Sequence, residues 1–198
     1  MGAITWTDGW MDAPLLPRVP RITRCPACRK IYWLAMAPEL GFSGGTSAED
    51  APPVEDRWAD AQHVEPLDEA ACFEALRDGL GASPDLELEL RVFTWWRGND
   101  AFREPMHATG HPTSPEAVAN LERMIEMIVV GDEDLLLFRA EAQRHLGRFD
   151  DARATLDGVC CSDYWPAKSR QLELLAAQSS DLAILFSAER PPANLRGE

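Results

Sequence analysis

The run Arg24-Cys25-Pro26-Ala27-Cys28-Arg29-Lys30 constrains this chain more than any other stretch. Two thiols separated by two residues can close on one tetrahedral ion only from a tight turn, and Pro26 stiffens that turn by fixing its own φ. Cys25 and Cys28 are therefore read as half of a zinc site. A structural site takes four ligands, and no second Cys-x-x-Cys follows. Three completions are open. His107 and His111 have chelating spacing, although they sit in a Gly/Pro-rich loop where solvated histidines are the common outcome. Cys160, beside Cys161, is a further candidate ligand. Two knuckles from two subunits would also close a four-cysteine site on a homodimer axis. A turn that has lost its metal is the alternative to all three.

After Cys28, Lys30-Ile31-Tyr32-Trp33-Leu34 has the β-branched and aromatic character of a strand. The result is a hairpin with its cysteines at the turn, which resembles one half of a zinc ribbon. A redox dithiol fits the context less well, because thioredoxin-like motifs open a helix after a strand. Upstream, Thr7-Asp8-Gly9-Trp10 reads as a hairpin turn between Ile4-Thr5-Trp6 and Trp10-Met11. Pro14, Pro17 and Pro20 then favour an extended arm.

The net charge of −14 is unevenly distributed. Residues 1–48 are slightly basic, whereas 49–89 are densely acidic, with only Arg57 and Arg77 opposing. A field of this sign repels nucleic acid unless a local basic patch dominates at short range. Arg18, Arg21, Arg24, Arg29 and Lys30, interleaved with Tyr32 and Trp33, are the one such patch. The reading preferred for them is a basic face that offsets the chain's own acids. No apolar run is long enough to span a membrane, no signal-peptide pattern opens the chain, and five cysteines without secretory context fit reduced thiols. A cytoplasmic protein is the expectation.

Gly41 through Pro53 is linker-like, and from residue 67 the pattern turns helical. Asp68 caps a first helix that carries Cys72, Phe73, Leu76 and Leu80 to Gly81. Ser83-Pro84-Asp85 starts a second. Residues 86–93 alternate as a strand would, yet Leu86, Leu90 and Phe93 also fit a helix, and helix is chosen on the strength of the start signal. Thr113-Ser114-Pro115-Glu116 opens a third, striped by Val118, Leu121, Ile125 and Ile128. Leu135, Phe138, Ala142 and Leu146 line a fourth that ends at Gly147. Phe149, Ala152, Leu156 and Val159 mark a fifth. Leu172, Leu175, Ala176, Leu182, Ala183 and Phe186 line one last long helix, or two broken near Ser179-Ser180-Asp181.

The run Leu136 to Ala152 resembles a tetratricopeptide repeat. Ala140, Leu146-Gly147, Phe149 and Ala152 stand where that family places a small residue, a Leu-Gly pair, an aromatic and a second small residue, with Leu156 and Pro166 near later positions. The resemblance covers about one repeat of roughly 34 residues. It implies two antiparallel helices in close approach, and either a short repeat array or a helix hairpin within an ordinary bundle.

These readings together predict a mainly α protein, a helical bundle or short tetratricopeptide-like array with a small N-terminal β-hairpin and zinc knuckle. The expected organisation is a knuckle hairpin over 1–40, an acidic Gly/Pro-rich linker over 41–66 and a helical domain over 67–190. No His-Glu-x-x-His, Gly-x-Ser-x-Gly or Walker pattern is present. The function expected is non-enzymatic protein–protein interaction by an adaptor with a protein partner, zinc-stabilised if metal is bound. Trp95, Trp96 and Arg97 are the candidate partner-binding residues, since Trp and Arg dominate interface hot spots. The alternatives are an acidic inhibitor or immunity-type protein, a nucleic-acid-binding regulator using the basic knuckle, and an enzyme whose site leaves no motif.

Overall fold

The computed structural model describes residues 4–13, 19–40, 62, 64, 66–103, 114–128, 133–159 and 185–186. It divides into two units, Met1–Pro17 with Asp68–Glu198, and Arg18–Leu67. The protein is mainly helical, as its sequence leads one to expect. No helix among the described residues is long and apolar enough to cross a membrane.

In the first unit, β1 (Ile4–Trp6) pairs antiparallel with β2 (Met11–Asp12), Ile4 opposite Asp12. The turn between them closes through Trp6 N–H to Trp10 O (2.8 Å) and Gly9 N–H to Trp6 O (3.0 Å), with Gly9 at φ 84°. The Asp8 carboxylate accepts the Trp10 N–H at 3.0 Å, so its side chain shapes the turn from within.

Five helices follow. The first, α1 (Glu69–Arg77), begins where Asp68 accepts the Ala71 N–H at 2.8 Å. It ends at Gly79 (φ 78°), beyond which Leu80 N–H reaches back to Ala75 O at 3.0 Å. The second, α2 (Pro84–Arg103), runs through residues 86–93, so the segment that alternates like a strand is helical. Its start is the Ser83-Pro84 pair, with Ser83 Oγ accepting the Leu86 N–H. The third, α3 (Pro115–Met127), is capped by Ser114, which accepts from Ala117 N–H. Then come α4 (Glu133–His145) and α5 (Phe149–Asp157), joined by Gly147 at φ 71°. That left-handed turn costs a glycine nothing and an alanine about 1 kcal/mol.

α4 is buried on two sides. Leu136, Leu137 and Ala140 pack with Leu156 and Val159 around α5. Ala142, with Phe138 and Leu146 beside it, packs on Val92 and Trp95 of α2 and on Leu121 and Met124 of α3. Polar side chains fill what remains, and Thr155 Oγ1 donates to Gln143 Oε1 at 2.7 Å to tie α5 to α4. Helices of adjacent number pack on one another throughout, and α4 touches α2 as well as α3.

One correction concerns the last expected helix. Leu185–Phe186 at its end is a strand, β5, that pairs antiparallel with β1, Thr5 opposite Phe186 and Trp6 opposite Leu185. The ladder satisfies backbone groups that an isolated edge at β1 would leave to water. The rest of that segment lies outside the described residues.

The second unit holds another antiparallel pair, β3 (Ile22–Arg24) and β4 (Ile31–Trp33), with Ile22 opposite Trp33 and Arg24 opposite Ile31. A short 3-10 turn, Leu34–Met36, follows. Residues 4–13, expected to form one element with this hairpin, group instead with the helices.

Candidate functional site

The β3–β4 hairpin carries the two cysteines at its tip, where the sequence predicts them. Cys25 N–H donates to Lys30 O at 2.8 Å, and Arg29 N–H donates to Cys25 O at 2.9 Å. Closing so tight a loop requires Arg29 to take a left-handed conformation, φ 63°, the one non-glycine positive φ among the described residues. The geometry turns backbone donors onto sulfur. Cys25 Sγ receives the Cys28 N–H and the Ala27 N–H, with the Cys28 thiol as a third partner, and together these hold the Cys25 thiol below its ordinary range. Cys28 is exposed and Cys25 half-exposed, and both are free thiols. Arg24 reaches across the turn to Arg29 O at 3.3 Å.

Hydrogen bonds to a thiolate and nearby cations are what a metal-ligating or reactive cysteine needs. Among the described residues no group of three or more His, Cys, Asp or Glu comes together as a metal site. His107, His111 and Cys160 lie outside the described residues. Cys72 is a different kind of cysteine: it is buried in α1, and desolvation pushes its thiol up to about 12.

Trp95, Trp96 and Arg97 all lie on α2 but face different neighbours. Trp95 is buried, and its indole N–H donates to His145 Nδ1 at 3.0 Å. Trp96, half-buried, donates to Asp8 O at 2.9 Å and meets Trp10 and Phe93 edge to face. The Arg97 guanidinium lies 4.5 Å from the Trp10 ring centre and pairs with Asp100 at 3.1 Å. Each of the three is thus engaged within the helical unit. A shallow cleft beside them, between α1, α2 and α3, is lined by Glu69, Gly98, Asn99 and Asn120. Gly98 leaves room for the Glu69 carboxylate, since a Cβ there would stand 2.5 Å from Glu69 Oε1. Burial, then Glu116 and Asp68, push the Glu69 carboxyl up.

Two buried ionic clusters escape the sequence reading. In the first, Arg144 clasps Glu141 in a two-pronged pair, Nε to Oε2 at 2.7 Å and the terminal nitrogen to Oε1 at 2.8 Å, both side chains essentially sealed from solvent. His145 Nε2 lies 3.3 Å from Glu141 Oε1. Because Trp95 donates to Nδ1, the imidazole is neutral with its proton on Nε2, facing the carboxylate. Burial opposes the Glu141 charge, but Arg144 and then His145 overrule it and hold the carboxyl well below its usual range. Burial also dominates His145 and lowers it, against the pull of Glu141. In the second cluster the fully buried Asp8 accepts from Asn99 Nδ2 at 2.8 Å and from Arg103. Arg103 in turn donates to Trp96 O at 2.7 Å and to Asp100 at 2.6 Å. The i,i+3 spacing of Glu141 and Arg144 is visible in the sequence, but their burial is not, because charged pairs of that spacing usually face water.

No family model matches the chain, and neither a curated protein nor a solved structure matches it.

Proposed function

We propose that this chain is a non-enzymatic scaffold for protein–protein contact, a short, degenerate tetratricopeptide-like stack with a zinc-binding knuckle at Cys25 and Cys28. The observation that carries the reading is the placement of α4. In a stack of helix pairs, the first helix of each pair packs on both helices of the pair before it and on its own second helix. With α2–α3 and α4–α5 taken as the pairs, α4 contacts α2, α3 and α5. Small residues sit where those helices approach closely, with Ala140, Ala142 and Ala152 all buried. Such stacks present extended surface instead of a deep cleft, which suits a protein partner better than a small substrate. For the knuckle, the support is the pair of backbone donors aimed at Cys25 Sγ beside a second, exposed thiol.

Photo-crosslinking in the native host tests the scaffold. A crosslinker is placed in turn at the exposed alanines Ala70, Ala101, Ala119 and Ala154, which sample α1, α2, α3 and α5. The expected result is one recurrent protein adduct from a contiguous subset of positions, and purified partner that binds the purified chain without being chemically altered. No recurrent adduct from any of the four positions, or a partner that is consumed as a substrate, would remove the scaffold reading.

A further inference from the structure

We propose that two copies of this chain share one zinc ion, each contributing Cys25 and Cys28 to a four-thiolate site. The inference rests on the zinc reading of the knuckle and adds to it what completes the site. Two sulfurs alone leave a tetrahedral ion half-coordinated, and the described part of the chain brings no further ligand to them. The pair sits at the tip of a two-stranded hairpin whose turn residues, Pro26 through Lys30, are all exposed. A second knuckle can therefore approach sulfur to sulfur without any strand having to move.

Charge favours the same answer. A zinc ion bound by four thiolates carries two net negative charges, and a bare anion of that kind is costly without nearby cations. Each knuckle brings Arg24, Arg29 and Lys30, with Arg24 held against the turn by its bond to Arg29 O. Two copies surround the anionic centre with cations from both sides. Without metal the same two tips are like-charged and repel. Association through this face is thus metal-dependent, and loss of zinc would separate the copies.

The experiment uses the full, tag-free chain, reduced, loaded with zinc and freed of excess. Bound zinc per chain is measured together with mass in solution. The expected result is one half-equivalent of zinc, a mass twice the 22.0 kDa of the chain, and conversion to monomer by a chelator. Titration with cobalt(II) in place of zinc should saturate at one half-equivalent with the strong thiolate charge-transfer absorption of a four-sulfur site. Cys28→Ser should give a metal-free monomer whose far-ultraviolet circular dichroism matches the parent. If that variant does not fold, the chelator and cobalt titrations on the parent chain decide alone. One zinc per 22.0 kDa monomer would overturn the shared site and leave the zinc reading standing, with His107, His111 or Cys160 as the ligands to test. A reduced, folded chain that binds no zinc would overturn both, as would cobalt spectra without thiolate absorption. A dimer unchanged by the chelator would overturn the shared site.

Discussion

Replacing Glu141 by Ala should cost about 3–5 kcal/mol of stability, the range typical of stripping one partner from a buried ion pair. Arg144 would lose the carboxylate that grips two of its nitrogens, at a place where water cannot take over. With a denaturant slope of about 1–3 kcal/mol per molar urea, the unfolding midpoint should fall by more than about 1 M. The companion double substitution, Glu141→Leu with Arg144→Met, removes both charges together and should recover most of that loss. A midpoint for Glu141→Ala within error of the parent would contradict the burial described here. The same cluster sets the response to acid. His145 and Glu141 are both held below their ordinary ranges in the folded state, so the unfolded chain takes up more protons as the pH falls. The stability each contributes is present above its unfolded pKa and is lost below it. Loss should begin below about pH 6.5 through His145 and deepen below about pH 4.3 through Glu141. In His145→Gln the upper part of that loss should vanish while the lower part persists, as measured by urea midpoints across pH.

The second large effect is expected at Asp8, which joins the N-terminal hairpin to α2. Its carboxylate accepts from Trp10 N–H, Asn99 and Arg103, and its backbone carbonyl accepts from the Trp96 indole. Asp8→Ala removes the three side-chain bonds together and leaves Arg103 with only Asp100 and the Trp96 carbonyl. A loss of about 3 kcal/mol follows from a buried, charge-assisted set of this kind. The spectroscopic signature differs from that of Glu141→Ala. Trp10 packs on Trp96 and on the Arg97 and Arg103 guanidiniums, so release of the hairpin should red-shift tryptophan emission before global unfolding. Asp8→Asn keeps an acceptor for Trp10 N–H and should fall between the parent and Asp8→Ala. Unchanged stability and emission in Asp8→Ala would show that the hairpin does not depend on this residue.

Helix ends were legible because capping chemistry is local. Asp68, the Ser83-Pro84 pair, Ser114-Pro115 and Gly147 each stand at a real boundary, and each acts through groups within a few residues. Residues 86–93 were ambiguous in periodicity because α2 carries apolar side chains around much of its surface, and the start signal decided correctly. The β3–β4 hairpin was legible for the same local reason, since its residue types, proline and spacing all lie within a short stretch of chain. β5 was not legible. Leu182, Ala183 and Phe186 satisfy helical spacing, and only a pairing with β1 at the far end of the sequence makes Leu185–Phe186 a strand. The buried clusters stayed hidden because charged side chains spaced like Glu141 and Arg144 usually lie on a solvent-facing side of a helix. α4 has no such face there, since neighbours cover it on both sides. Trp95 and Trp96 illustrate the limit of reading residue type alone. The same indoles that favour interfaces also hold His145 and Asp8 inside this fold.

The proposed stack of two helix pairs depends most on α4 lying against α2. A double-mutant cycle across it, with Trp95→Phe and His145→Leu, isolates the bond from indole N–H to imidazole Nδ1. Stacked pairs predict a coupling energy of about 1 kcal/mol or more between the two substitutions. Effects that add to within about 0.3 kcal/mol would place the two residues apart and contradict the stack.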